Sequence, residues 1–195
     1  MEVLSQDPFE WFDVWLNEAE KDGMVDPNAM CLSTVGSGGM PSSRMVLLKE
    51  RTERGFVFYT NLQSRKGKEL QHGKAALLFY WREFGRQIRI EGELEPVAES
   101  AADAYFESRP RLSQIGAWAS LQSQPLESRE ALEVRIAELE AKYDSLEVPR
   151  PPHWSGTEVI ARRIEFWQAG EFRLHDRFEF LLDGPTWKPA SRLFP

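Results

Sequence analysis

Between Ala29 and Glu95 the chain reads as a series of short strands separated by turns. Candidate strands run over Ala29–Val35, Ser42–Lys49, Phe56–Thr60, Ala75–Trp81 and Arg86–Glu95, with a Gly36-Ser37-Gly38-Gly39 turn after the first and a polar turn ending at Gly55 before the third. Connections this short do not reach over a sheet face, so neighbouring strands run antiparallel. Five or more such strands predict a closed or nearly closed barrel. Ala75–Trp81 is a nearly continuous apolar run, the pattern of a strand covered on both faces. Arg86–Glu95 alternates instead, with Ile88, Ile90 and Leu94 on one side and Gln87, Arg89, Glu91 and Glu93 on the other. The expected class is mainly β with flanking helices.

The helices have their own signals. Asp7-Pro8-Phe9-Glu10 is a helix start, with Asp7 as cap, Pro8 in the first turn and Glu10 at the capping-box position. Phe9, Phe12, Trp15, Leu16 and Ala19 follow at helical spacing, and Gly23 is a stop. Ser64 caps a short helix whose first turn holds Arg65 and Lys66. Ser100–Ser108 and Leu112–Ala119 are two further helices, separated by Arg109-Pro110-Arg111. Ser128–Leu146 carries a stripe of Leu132, Ile136, Leu139, Tyr143 and Leu146, expected to pack on the barrel or on another subunit, and an exposed Glu138–Lys142 pair. Pro149-Arg150-Pro151-Pro152 is a stiff connector. Thr157–Gln168 and Arg173–Leu182 then pair as strands around Gly170. No boundary divides the chain, so one domain over 1–195 is expected, with an N-terminal helix at about 8–22 and the C-terminal strand pair at about 157–195.

Composition removes several function classes. The net charge of −7 over 195 residues argues against a general nucleic-acid binder. Cys31 is the only cysteine, so no intrachain disulfide can form; it reads as a small core residue in a reducing, cytoplasmic compartment. No apolar run approaches membrane-spanning length and no signal layout is present. His72, His153 and His175 lack metal-ligand spacing, so no metal is expected. Walker, Gly-x-Gly-x-x-Gly and Gly-x-Ser-x-Gly patterns are absent.

What remains is anion recognition. In Phe166–Phe178, Arg173, His175 and Arg177 alternate, and on a strand they would share one face. Such a face suits a flat, anionic, hydrogen-bonding ligand. The plainer reading is a solvated strand face, with Trp167 and Phe178 packing behind it. Arg65 and Lys66 sit at a helix start, where cations are slightly unfavourable unless an anion joins them. Arg44, Lys49 and Arg109 also fall near predicted element ends. Phosphate is the ligand that uses several such groups at once.

Five motifs occur in order: Arg44-Met45-Val46-Leu47-Leu48-Lys49; Phe58-Tyr59-Thr60-Asn61 with Ser64-Arg65-Lys66; Ser108-Arg109-Pro110-Arg111; Ser113-Gln114-Ile115-Gly116-Ala117-Trp118; and Arg173-Leu174-His175-Asp176-Arg177. Together, from about Asp7 to Pro195, they resemble the pyridoxine (pyridoxamine) 5′-phosphate oxidase family. The resemblance implies an FMN-binding split β-barrel that forms a homodimer with two sites at the subunit interface. It implies oxidation of pyridoxine 5′-phosphate and pyridoxamine 5′-phosphate to pyridoxal 5′-phosphate, with dioxygen as acceptor and hydrogen peroxide as product. By the same resemblance Arg44, Met45, Val46, Leu47, Leu48, Lys49, Tyr59, Thr60, Arg65, Lys66, Gln87, Gln122, Ser123, Trp167 and Arg177 form the FMN-binding set. Arg44, Arg65, Lys66 and Ser123 serve its phosphate, and Gln87, Trp167 and Arg177 lie nearer its ring system. Lys49, Tyr105, Arg109 and Ser113 match the groups for the substrate phosphate, and Arg173, Leu174 and His175 those beside the pyridine, with Arg173 and His175 as the catalytic pair.

Longer relatives carry extra, partly basic N-terminal residues that fold over the substrate. This chain starts six residues before Asp7, so little of such a lid is expected. Two rival readings stand beside the oxidase. One is a related flavin oxidase acting on a phenazine precursor. The other is a non-catalytic protein that binds flavin or pyridoxal phosphate. A ligand without phosphate has no use for Lys49, Tyr105, Arg109 and Ser113 together.

Overall fold

A computed structural model describes residues 1–195. In chain order the elements are α1 (Pro8–Lys21), β1 (Ala29–Val35), β2 (Pro41–Leu47), β3 (Glu50–Arg51), β4 (Gly55–Asn61), α2 (Arg65–Leu70), β5 (Lys74–Trp81), β6 (Arg86–Pro96), α3 (Glu99–Glu107), α4 (Arg111–Ala119), α5 (Arg129–Lys142), β7 (Trp154–Gln168), β8 (Asp176–Asp183), β9 (Thr186–Trp187) and β10 (Ser191–Arg192). The class is mainly β with flanking helices, as expected. The main path of the sheet is β10-β8-β7-β6-β5-β1-β2, and β4 pairs with both β3 and β7. The pairs β1–β2, β1–β5, β5–β6 and β7–β8 are all antiparallel.

The chain divides into two compact units. The first comprises Met1–Phe58, His72–Glu95 and Glu158–Pro195; the second comprises Tyr59–Gln71 and Pro96–Thr157. Three of the four boundaries fall inside β4, β6 and β7, and the fourth follows α2.

The first unit is built around α1 and the sheet. Asp7 caps α1 by accepting from the Phe9 N–H at 2.8 Å. The expected capping box is relayed: the Asp7 N–H donates to Ser5 Oγ at 3.0 Å, and Ser5 Oγ donates to Glu10 at 2.7 Å. Trp11, Phe12 and Trp15 are fully buried. Trp11 stacks on Phe166 with ring centroids 4.4 Å apart and meets Phe180 edge-on at 5.9 Å. Phe12 packs edge-on against Phe56 and Phe79.

Two strand contacts in this unit leave no room for a side chain. A Cβ at Gly55 would lie 2.1 Å from the Val159 carbonyl oxygen, and one at Gly92 would lie 2.2 Å from that of Ile160. Both oxygens belong to the backbone of β7, which cannot rotate away. Gly92→Ala is therefore expected to cost about 2–3 kcal/mol, the upper part of the overpacking range, which lowers Tm by about 5–10 °C for a chain of this size. Thermal unfolding of the variant checks this; a shift below about 1 °C would show that the strands part without cost.

Several sequence expectations change here. Ala75–Trp81 is covered on one face only: Leu77, Phe79 and Trp81 are buried, whereas Tyr80 is 59% exposed. Cys31 is half-buried and outside the core, because β1 alternates and turns Met30, Leu32 and Thr34 inward. The strand expected from Arg173 begins only at Asp176, after a single 3₁₀ turn over Glu171–Arg173. Phe172 and Arg173 both have positive φ, 54° and 64°, which breaks the extended backbone. Gly170 permits the turn, since a Cβ there would sit 2.0 Å from the Leu174 carbonyl oxygen.

In the second unit, Phe106, Ile115, Tyr143, Val148 and Trp154 form a small core, with Ile136 and Leu139 of α5 packed against it. The α5 stripe is thus used inside its own unit. It ends at Tyr143, because Leu146 is exposed. Arg129–Glu133 is an ion pair one turn apart on α5, and Lys142 lies 5.0 Å over the Tyr143 ring.

Candidate active site

In the first unit the β2 motif alternates around Arg44. The Arg44 guanidinium donates to Thr34 Oγ1 and Ser42 Oγ at 2.5 Å each and to the Leu32 carbonyl at 3.2 Å. These bonds hold its guanidinium on the sheet. Met45 is exposed, Val46 half-buried, Leu47 exposed and Leu48 buried. The Lys49 N–H donates to the Val57 carbonyl, which pins its backbone between β2 and β3.

A second group gathers on β6, β7 and β8. Trp167 is the register partner of Arg177. The Ala169 N–H donates to the Gly85 carbonyl and Arg89 pairs with Glu165, so the register between them carries Gln87 beside Trp167. Phe166 and Phe178, also register partners, turn to the core. Trp167 therefore does not pack behind this face with Phe178, as the plainer sequence reading had it; it stands on the open face beside Arg177. The His175 ring lies 4.6 Å from the Trp167 ring. Its Nδ1 accepts from the Gly170 N–H at 3.2 Å, so the neutral ring carries its proton on Nε2 and presents a donor there.

Arg173 and His175 do not share a strand face. Arg173 is exposed on the 3₁₀ turn, Leu174 is exposed after it, and His175 precedes β8. The alternation that looked like a strand is a coincidence of spacing across a turn with left-handed residues.

Glu165 was not legible as part of this group. It is buried, and its carboxylate accepts from Arg177 Nε at 2.8 Å and faces Arg89 Nη1 at 3.4 Å. That hydrogen bond holds the Arg177 guanidinium above the usual arginine range. The Phe194 carbonyl accepts from Arg177 Nη1 at 2.9 Å. Phe166–Phe178 holds two arginines and two acids, so composition gave no sign of the role of Glu165.

In the second unit, Ser64 caps α2 as expected, accepting from the Gly67 N–H at 3.1 Å. Gly67 allows the turn to close, since a Cβ would fall 2.3 Å from the Leu62 carbonyl oxygen. Arg65 pairs with Glu69 at 2.9 Å, and Lys66 Nζ donates to Gln122 at 3.0 Å. The structure thus brings Lys66 and Gln122 together across 56 residues of sequence. Ser123 follows with φ of 70°, the left-handed conformation of a tight turn. Thr60 Oγ1 is buried beside this loop and has no partner within the chain.

Tyr105 of α3 stacks on Tyr59 of β4, with centroids 4.1 Å apart. Arg109 lies between α3 and α4, with its guanidinium 4.7 Å over the Trp154 ring. Arg109 Nη1 is buried and unpartnered. Burial pushes this guanidinium below the usual arginine range, against the opposing influence of Tyr105. Ser113 sits half-buried in the first turn of α4. Of the predicted phosphate set, Tyr105, Arg109 and Ser113 share this unit, and Lys49 belongs to the other.

A buried, unpaired guanidinium N–H and a buried, unpaired hydroxyl are costly in a finished fold. Both fit a ligand rich in oxygen acceptors. The family model described as pyridoxamine 5′-phosphate oxidase matches residues 16–143, and that described as the pyridoxine 5′-phosphate oxidase C-terminal dimerisation region matches 154–195. The chain belongs to the pyridoxine/pyridoxamine 5′-phosphate oxidase family. Its sequence is 58% identical to the pyridoxine/pyridoxamine 5′-phosphate oxidase of Caulobacter vibrioides strain NA1000 over 194 residues, covering 99% of this chain and 87% of that one. It is 54% identical to the enzyme of that name from Myxococcus xanthus strain DK1622, covering 99% and 94%. Among solved structures, PhzG from Burkholderia lata 383, in complex with tetrahydrophenazine-1-carboxylic acid, superposes with a TM-score of 0.92 at 37% identity, covering 98% and 94%. An FMN-binding protein from Nostoc punctiforme shares the fold, with a TM-score of 0.77 at 15% identity over 98% and 100%. The chain is an oxidoreductase of a flavin-binding family and carries that family's dimerisation region. No helix is long and apolar enough to cross a membrane.

Proposed function

We propose that this oxidase binds FMN and converts pyridoxine 5′-phosphate and pyridoxamine 5′-phosphate to pyridoxal 5′-phosphate. The alcohol consumes one dioxygen and yields hydrogen peroxide; the amine also consumes water and releases ammonia. The observation that carries the substrate class is the unpartnered, buried Nη1 of Arg109. A phosphate oxygen is the acceptor it lacks, and Tyr105 and Ser113 supply further hydroxyl donors in the same unit. The same feature sets this reading above an unphosphorylated phenazine-type substrate, as does the higher identity to relatives named as the B6 enzyme.

FMN fits the residues present. Lys66 and Gln122 meet at 3.0 Å, Arg65 and Ser123 are their chain neighbours, and the buried Thr60 hydroxyl in the same unit has no partner within the chain. Arg44 would join them at the cofactor phosphate. Gln87, Trp167 and Arg177 would hold its ring system from the first unit. When bound, FMN supplies the two-electron acceptor that dioxygen reoxidises. The chain's own residues bind and orient. Arg109, Tyr105 and Ser113, with Lys49, grip the substrate phosphate. His175 offers its Nε2–H to the pyridine side of the substrate, and Glu165 keeps Arg177 in place. Arg173, on an exposed turn, closes onto the substrate when it binds.

In this reading the chain is one FMN-binding domain over 1–195, and two copies of it form a homodimer with two sites at the interface. The exposed apolar side chains of β2 and β5, Met45, Leu47 and Tyr80, support a second chain as the missing cover. A reducing, cytoplasmic setting accords with the free thiol of Cys31.

Anaerobic optical titration tests the activity. Pyridoxine 5′-phosphate added to the FMN-loaded protein is expected to bleach the oxidised-flavin band, with recovery and peroxide release on admitting air. Flavin that stays yellow with both the alcohol and the amine phosphate would instead identify a binding protein or an oxidase with another substrate.

A further inference from the structure

Tyr59, which the family resemblance places in the FMN set, and Tyr105 and Arg109, which the proposed function gives to the substrate phosphate, meet in the second unit on one residue that neither assigns. The rings of Tyr59 and Trp154 are near parallel, 5.2 Å apart and tilted by 12°. Those of Tyr105 and Trp154 are 6.1 Å apart and tilted by 10°. The Arg109 guanidinium stands 4.7 Å from the centre of the Trp154 ring. Trp154 itself is only 6% exposed and rests edge-on against Phe106 at 5.1 Å.

Its backbone is pinned as well. The Trp154 N–H donates to the Pro151 carbonyl at 3.0 Å, and its carbonyl accepts from Arg150 Nη1 at 2.8 Å. Arg150 Nε in turn donates to Asp103 of α3 at 2.6 Å. The helix that carries Tyr105 is thereby tied to the strand residue beneath it. Two residues further along β7, Gly156 keeps the slot open: a Cβ there would lie 2.7 Å from Tyr59 Cε1.

We propose that Trp154 is a positioning residue of this enzyme, an aromatic floor that holds Tyr105 and Arg109 in the geometry that receives the substrate phosphate. The inference rests on the assignment of Tyr105 and Arg109 to that phosphate. An arginine whose Nη1 has no acceptor within the chain needs another restraint to keep its fork in place. A ring face supplies one without consuming a donor, since cation–π attraction acts normal to the guanidinium plane while the N–H groups point outward in it. The Tyr105 ring is held chiefly through Tyr59, which stacks on it at 4.1 Å and on Trp154 at 5.2 Å, so the same floor bears on Arg109 directly and on Tyr105 through one ring.

Steady-state kinetics of the FMN-loaded enzyme tests this with three variants. Trp154→Leu is expected to raise both the KM for pyridoxine 5′-phosphate and the inhibition constant of inorganic phosphate by about tenfold, with kcat falling less than about threefold. Trp154→Phe keeps a weaker ring and is expected to raise both by about threefold. Arg109→Ala reports on the assignment beneath the inference. If it leaves both constants unchanged, Arg109 does not hold phosphate, and the substrate assignment fails. If it raises both while the two Trp154 variants stay at wild-type values, the assignment stands and the role of Trp154 is overturned. A fall in kcat with KM and phosphate inhibition unchanged also overturns it, because a merely structural tryptophan would act that way. Should the leucine variant fail to fold, the phenylalanine variant decides alone, and wild-type constants there overturn the inference.

Discussion

Arg109→Ala is expected to weaken pyridoxine 5′-phosphate by about 2–5 kcal/mol, the cost of truncating one partner of a buried charged hydrogen bond. In kinetic terms KM rises by roughly 30-fold or more. The size follows from burial. Arg109 Nη1 is shielded from water and has no acceptor within the chain, so a bound phosphate oxygen gains a bond that water does not already satisfy. FMN affinity is expected to stay within about twofold, because the cofactor's phosphate is assigned to a different set, the α2 loop and Arg44. Isothermal titration of FMN alongside substrate kinetics checks both halves. An equal loss for cofactor and substrate would show that Arg109 supports the fold of the second unit and is not directed at one phosphate.

Trp11→Ala carries the largest expected effect on stability. Trp11 has no exposed surface and contacts Trp15, Phe166, Phe178 and Phe180. Removing its ring leaves a cavity enclosed by α1, β7 and β8, and such changes cost about 3–5 kcal/mol. For a chain of this length that lowers Tm by about 6–20 °C. Trp11→Phe is expected to cost less than half as much. It keeps most of the stacking, and it removes an indole N–H that is buried without an acceptor. Calorimetric unfolding of the two variants gives the comparison. If phenylalanine proves as damaging as alanine, the fused ring's shape, and not buried area, governs this core.

The local elements were legible in the sequence because their signals are local. Ala29–Val35 forms the strand that its turns bracket, and Asp7 and Ser64 cap the helices they precede. Capping, turn chemistry and alternation each act over a few residues, so no distant contact was needed to read them. The family motifs were legible for a related reason: each is a short contiguous run that can be read without any distant contact.

Other features depended on contacts that no local pattern encodes. Arg173 and His175 alternate as a strand would, yet two left-handed residues turn the chain there, and only the surrounding backbone at Gly170 and Leu174 enforces that geometry. Glu165 reads as one more polar residue in an alternating strand; its burial follows from Arg177 and Arg89 closing over it from neighbouring strands. Trp154 sits after a proline-rich connector, where sequence gives it no partner. Tyr59, Tyr105 and Arg109 come to it from 95, 49 and 45 residues away. By itself the sequence determined most of the strands, the caps it marked and the family motifs, because those are written in nearest neighbours. Which arginine is left with an unanswered donor, and which aromatic ring holds it there, was decided only by the tertiary structure, because burial and stacking are properties of segments far apart in the chain.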